Sequence, residues 1–377
     1  MNGSGAHRSG CNAHLRAMWS TRQRAFLVVT TIIAFLVACK KDEATPTSAA
    51  PSGGVAQSTL PAWVADSLGP FVPHVTNPST AEGIALGRRL FYEKALSNDY
   101  TQSCGSCHLQ ANAFTDPRPF SVGTDGSVGT RNAMAIINSG WDHRFFWDGR
   151  SGSLESQAHD PVVNPIEMNN TWPEVVARLQ ADAVYPPLFL AAFGTETIDS
   201  LLVTRALAQF ERSLVSFRSP YDRYYYEGDS TALNEQELRG MEVYKRGGHC
   251  IDCHMGPLIS DHSFRNNGLD VSPTDGGLGA LTGVPSDWGR FKVPTLRNIA
   301  LTAPYMHDSR FTTLEEVVHF YAHDVQLGNP NLDGHMDPWR FGQVNLDAQD
   351  EADLVAFLRA LTDESFITDP AFGPPAE

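Results

Sequence analysis

Cys104-Gly-Ser-Cys107-His108 and Cys250-Ile-Asp-Cys253-His254 are the two stretches whose reading decides the fold. Each sets two thiols and an imidazole within about one turn of chain. A c-type haem needs that set: two thiols for thioether bonds to its vinyl groups, and an adjacent imidazole as proximal iron ligand. A zinc site would want its two Cys pairs about 15–20 residues apart, whereas these lie 146 positions apart. A thioredoxin-like site would sit in a βαβ context, which the flanking sequence lacks. Four of the six cysteines are used in this way. Only Cys11 and Cys39 remain, so no disulfide framework is expected. The reading is two covalently attached haems, with His108 and His254 as proximal ligands.

Outward from each motif the same order recurs: helix, haem motif, irregular wrap, helix. Upstream of the first, Ser79-Thr80-Ala81-Glu82 reads as a capping box that opens a helix through Ile84, Leu86, Leu90 and Phe91. Gly83 and Gly87 weaken that helix signal. Residues 109–170 are rich in Gly, Asn, Asp and Pro, and a long loop of this kind is usually functional. Thr171 caps a further helix, and Ile198 to Phe217 reads as a long amphipathic one. Pro220 to Leu233 marks a boundary. Asn234 then caps a helix through Leu238, Met241 and Tyr244, immediately before Cys250. A second irregular stretch runs from Met255 to Ser309. Thr312 or Thr313 caps a helix carrying Leu314, Val317, Val318 and Tyr321 on one face, and Asp347 to Leu361 is the final helix. Strand signals are sparse. The expected class is mainly α, with two cytochrome c-like haem domains and long irregular loops. The expected division is a signal at 1–38, a tether at 39–60, and haem domains at 61–230 and 231–377.

The 377-residue chain carries 28 basic and 43 acidic side chains, a formal charge of −15. Residues 1–38 hold four Arg and no acid, so the remainder carries 24 − 43 = −19. That balance argues against nucleic acid and towards basic partners, and it also suits a solvated, soluble surface. The amino terminus reads as an export signal. Arg22 and Arg24 precede an uncharged run from Ala25 to Ala38 that is short for a membrane span. It ends Leu36-Val37-Ala38-Cys39, which resembles a bacterial lipobox, with cleavage before Cys39 and lipid on its thiol. Residues 1–17 are unusual for a signal, and Met18 is a candidate start. Lys40 to about Ser58 is Ser, Thr, Ala, Pro and Gly rich, a composition that makes a tether rather than a core. The expected location is the periplasm or envelope of a bacterium, anchored through Cys39.

Several further blocks fall in one order: Arg131-Asn132, Phe146-Trp147-Asp148-Gly149-Arg150, Leu154-Glu155-x-Gln157, Pro161, Pro165-Ile166-Glu167-Met168, Phe291-Lys292-Val293-Pro294-Thr295-Leu296-Arg297-Asn298, and Thr302-Ala303-Pro304-Tyr305-Met306-His307-Asp308. From about Asn77 to Asp363 the chain resembles the bacterial dihaem cytochrome c peroxidase family, which includes MauG. The resemblance implies that Glu167 is the distal glutamate that moves a proton between the peroxide oxygens. It implies that Gln157 orients peroxide and water, and that Trp147 relays electrons between the haems. It also implies an interdomain calcium ion held by Asn132, Thr302 and Pro304, the last two through backbone carbonyls; oxygen donors of this kind suit calcium.

Two positions separate branches of that family. Peroxidases that need reductive activation carry a histidine in Ser-x-Gly-His, where this chain has Ser121-Val122-Gly123-Thr124. At the second haem, peroxidases use a methionine fourteen residues after the position matching His307, and MauG uses tyrosine. Here that residue is Tyr321. Both features lean towards the MauG-like branch, while Met134 could reach the first iron and Met306 or Met336 the second. The expected function is a c-type dihaem peroxidase that reduces hydrogen peroxide with electrons from a small c-type cytochrome. The rival readings are a MauG-like enzyme oxidising residues of a partner protein and a non-enzymatic dihaem electron carrier. The family often forms dimers, but no interface signature marks one here.

Overall fold

The cap residues decide where the helices begin. The computed structural model describes residues 60–69, 76–337 and 344–376. Cys11, Cys39, the expected signal and the tether through residue 59 lie outside the described residues. After α1 (Ala62–Leu68), the helix before the first haem motif is α2 (Ala81–Phe91). Its cap is Thr80, which accepts from Gly83 N, and not the expected pair of Ser79 and Glu82. The reason is long-range: Thr80 N donates to Gln209 Oε1 of a later helix. Within 109–170 a helix forms that the loop-like composition hid, α3 (Leu154–Val163), capped by Ser153. Then come α4 (Trp172–Ala181), α5 (Tyr185–Phe193) and α6 (Ser200–Ser213). The last is shorter than the expected 198–217. Asp199 caps it through Leu202 N, and after Ser213 the chain turns away to pair with Asn138.

A short α7 (Pro220–Tyr225) leads to α8 (Glu235–Glu242), capped by Asn234. The second wrap holds a small antiparallel pair, β1 (Phe264–Arg265) with β2 (Phe291–Lys292), and a one-turn α9 (Leu278–Thr282). Thr313 then caps α10 (Leu314–His319), which continues as a π-turn through Phe320–Asp324. Asp347 caps α11 (Ala348–Arg359), and α12 (Glu364–Thr368) ends the helical part.

The two halves repeat one another in detail. Gly87 of α2 faces α6 so closely that a Cβ there would lie 1.9 Å from Ala206 O. Gly240 of α8 meets α11 in the same way, 1.9 Å from Asp353 O. Glycine costs helix propensity, but only glycine lets these axes approach. The loops repeat at a spacing of 160 residues. Asn138 and Asn298 both adopt left-handed φ, 55° and 58°. Phe145 bridges Ser151 as Tyr305 bridges Phe311. Trp147 therefore corresponds to His307, and the cap Ser153 to Thr313. A first core gathers α2 and α4 to α6 around Leu90, Phe91, Val175, Phe189 and Phe210, and a second gathers α8, α10 and α11 around Met241, Tyr244, Val318, Leu354 and Phe357. The end of the chain returns to the first core: Phe366 is buried there, Tyr92 OH donates to Phe372 O at 2.8 Å, and Arg88 Nε donates to Gly373 O at 2.6 Å.

Candidate haem sites

Each Cys-x-x-Cys-His motif forms part of the wall of its own cavity. The first cavity is lined by Cys104, Cys107 and His108 together with Gln157, Glu167 and Trp147. His108 is held by its local fold. Its Nδ1 lies 2.8 Å from Phe114 O, and burial keeps the imidazole below its usual range. A neutral ring that donates from Nδ1 presents Nε2 to a metal, the usual arrangement of an iron-ligating histidine. Gln157 reaches the cavity from α3. Glu167 follows α3 in a turn, where Asn164 Nδ2 donates to its Oε1 at 2.6 Å. Burial raises the Glu167 carboxyl above the ordinary glutamate range, opposed by the Asn164 hydrogen bond and the Arg150 charge. Thr124 is not on this wall. Its N–H donates to Glu167 O at 2.9 Å, so the Gly123–Thr124 backbone lies against the turn that carries Glu167.

The second cavity is lined by Cys250, Cys253 and His254, with Tyr321, Met306 and Met336 also on its wall. Burial pushes the His254 imidazole down to about 4. The Tyr321 hydroxyl accepts from Asn267 Nδ2 at 3.0 Å, and the same amide lies 3.7 Å from Met306 Sδ. Burial pushes the Tyr321 phenol up to about 12. Asn132, Thr302 and Pro304 line this cavity as well. Asn132 N donates to His307 O at 2.7 Å, and its Nδ2 donates to Ser309 Oγ at 3.2 Å, so its loop is tied to the turn after Pro304.

Trp147 borders both cavities. Its indole N–H donates to Asn132 O at 2.9 Å, and its backbone carbonyl accepts from Lys292 N at 2.8 Å, which fixes the ring from both halves. The seam holds charges that sequence reasoning did not single out. Lys292 is buried, with Nζ 2.7 Å from Asp142 Oδ2, while His262 meets the other oxygen of Asp142. Both Lys292 and Asp142 border the two cavities, as does His307, which stacks on Phe291 at 3.7 Å. Arg131 pairs with Asp148 of its own half at 2.6 Å and ties the halves through Asp275 at 2.7 Å. The 160-residue repeat is the signal that could have drawn attention to His307, as the counterpart of Trp147.

The walls fit a thioether-bound haem in each cavity. None of the four motif cysteines is in a disulfide, and each pair stands with its histidine on one cavity wall. Among the described residues no metal-spaced donor cluster contains a cysteine. Comparisons with known proteins agree. Residues 81–231 match the di-haem cytochrome c peroxidase family. The chain is 36% identical to the methylamine utilization protein MauG of Methylorubrum extorquens, over 90% of this chain and 97% of that one. It is also 36% identical to the cytochrome c551 peroxidase of Nitrosomonas europaea, over 76% of this chain and 81% of that one. Among solved structures, a MauG-like protein associated with microbial copper homeostasis is 40% identical and superposes with a TM-score of 0.74, covering 81% of this chain and 96% of that one. With paired haem motifs, a mainly helical repeat and relatives matched over three quarters or more of both chains, the chain belongs to the di-haem cytochrome c peroxidase family, whose members include MauG.

Proposed function

We propose that the chain reduces hydrogen peroxide to water at the cavity of His108, using electrons that enter through the cavity of His254. The observation that carries this reading is the convergence of Glu167 and Gln157 on the wall that bears His108, with Trp147 bordering both cavities. The haems supply the Lewis-acidic irons and the redox equivalents. The protein's own contribution is proton handling and position. A carboxyl whose affinity for a proton is raised by burial can take one from the near oxygen of peroxide and return it to the far oxygen, which then leaves as water. Gln157 holds peroxide and water by its amide. Trp147 is the relay between the two halves, residues 61–230 forming the peroxidatic part and 231–377 the electron-entry part.

The acidic surface suits a small basic c-type cytochrome as donor. Covalent haem attachment fits the periplasm, with Cys39 as lipid anchor. Calcium at Asn132, Thr302 and Pro304 would brace the seam between the halves. A homodimer is part of the same family reading. A second reading, oxidation of residues on a partner protein in the MauG manner, is favoured by Tyr321 on the wall of the second cavity and by the absence of histidine at position 124.

The decisive experiment combines intact mass with turnover. Intact mass should exceed the apoprotein by two haems that survive acid–acetone extraction, and peroxide should be consumed in step with oxidation of reduced cytochrome c. One haem, or zinc, would end the reading. Two haems without peroxide consumption would leave the electron carrier. A cross-linked or oxidised side chain in a partner would favour the second reading.

A further inference from the structure

Helix α10 and its π-turn have two faces. The inner face sends Leu314, Val317, Val318 and Tyr321 to the second cavity. The outer face carries His319 and, four residues on, His323, with ring centroids 4.6 Å apart. That spacing stacks side chains on one side of a helix, and two imidazoles so placed are a recurring metal chelate. Opposite them α11 presents Glu351, whose carboxylate is shared between the rings. Oε2 lies 3.4 Å from His319 Nδ1, and Oε1 lies 2.7 Å from His323 Nε2. One donor atom from each of the three residues falls within 4.8 Å of the others. Asp324 Oδ2, 4.0 Å from His319 Nε2, adds a further oxygen at the edge. The His319 and His323 side chains are 55% and 41% exposed, so an ion can enter from solvent. None of the three residues lines either haem cavity, and the peroxide reading uses none of them.

We propose that His319, His323 and Glu351 bind one divalent late-transition-metal ion, copper(II) or zinc. Two imidazoles and one carboxylate form a donor set of intermediate softness, which favours these ions, copper above zinc. Calcium and magnesium prefer oxygen-only sites and are disfavoured. Three protein ligands leave a position for water, as in open zinc sites, or for Asp324. The ion takes the place of the protons that now link the rings to the carboxylate, and it clamps α10 to α11. Those two helices supply Val317, Tyr321, Leu354 and Leu358 to the second cavity, so the clamp braces that wall from outside.

The test uses the full holoprotein with both haems, free of any polyhistidine tag and stripped with chelator. Zinc is titrated by calorimetry, and copper(II) is followed by paramagnetic resonance. Wild type should take up one saturable equivalent, and the copper signal should carry coupling to two nitrogens. The His319→Gln/His323→Gln variant should bind at least tenfold more weakly and lose that coupling, since loss of even an outer-shell partner costs on the order of 10–100-fold. Unchanged haem spectra report that the variant is folded; should it fail to fold, Glu351→Gln is expected to show the same weakening. Equal uptake by wild type and variant, or no saturable equivalent in wild type, overturns the site.

Discussion

Glu167 shows how burial turns an ordinary carboxylate into a candidate acid–base group. Because burial raises its affinity for a proton, the side chain titrates above the usual glutamate value of about 4.3. The ionised form is needed to accept the first proton, so peroxide turnover should fall as pH drops through this raised value. The acid limb should therefore lie above the ordinary range. Glu167→Gln should remove that limb and lower turnover by on the order of 10²–10⁴-fold, with both haem spectra near native. The stability sign is opposite to the activity sign. A carboxyl with a raised folded value stabilises the fold below its unfolded value, and that contribution is lost as pH rises through the folded one. Denaturation at pH 7 should accordingly find the Gln variant at least as stable as wild type. Tyr321 makes a separate case. Its phenol is pushed up to about 12 in the protein alone, so an anionic tyrosine there needs a metal cation to hold the charge. If iron does so, Tyr321→Phe should change the spin state and spectrum of the second haem; a native spectrum would direct the search to Met306 or Met336. Trp147, Gln157 and Glu167 were picked out from sequence through the family resemblance of the blocks that hold them, and all three line the first cavity. The Asp142, Lys292 and His262 cluster was not singled out, because its members come from segments apart in sequence, Lys292 from β2, and no local pattern joins them.

Helix starts were legible at Thr171, Asn234, Thr313 and Asp347, each of whose side chains accepts from a nearby backbone N–H, while Ser153 caps α3 just as locally inside a stretch whose composition reads as loop. Boundaries also failed where the deciding partner is remote. Thr80 N is taken by Gln209, and α6 stops where Asn138 claims the backbone of residues 214 and 216. Gly83 and Gly87 of α2 were read as weakening a helix, and the reason for Gly87, as for Gly240 of α8, is visible only from the facing helix. Gly87→Ala or Gly240→Ala puts a methyl 1.9 Å from a backbone oxygen, which no rotamer can relieve. Overpacking of this kind costs about 1–3 kcal/mol or more, despite the better helix propensity of alanine. Gly152→Ala, with nothing within 4 Å of the new carbon, is the control and should stay within about 0.5 kcal/mol. Thermal or denaturant melts of the three variants would read this directly; equal melting points would show that the helices can slide apart at little cost.

The halves were legible as a repeated order of motifs, while the parts that join them emerge only in three dimensions. Arg297 lies fully buried in a two-pronged pair with Asp222, both contacts 2.8 Å, and donates to Pro257 O at 2.7 Å. Asp222 belongs to the stretch read from sequence as a boundary between the halves. Removing one partner of such a pair strands a buried charge, so Arg297→Met should lose about 3–5 kcal/mol in chemical denaturation. The joined molecule also determines how the first cavity behaves at rest. The family resemblance implies that a histidine in Ser-x-Gly-His would occupy the peroxide position until the second haem is reduced. Here the equivalent Thr124 is laid along the Glu167 turn and lines no part of the cavity. No histidine occurs between His108 and His143. His143 is exposed, and His159 stacks on Trp172, outside the cavity wall. One other imidazole borders the first cavity among the described residues, that of His307, and it is stacked on Phe291 from the far half. The resting, fully oxidised protein should therefore have an open, high-spin first haem and react with peroxide without prior reduction. Stopped-flow mixing of oxidised and half-reduced samples with peroxide checks this, and both should react at comparable rates. If only the half-reduced sample reacts, another residue plugs the resting iron; Met134 and His307 both line the cavity, and Met134→Ala and His307→Ala in the oxidised protein would then show which one it is.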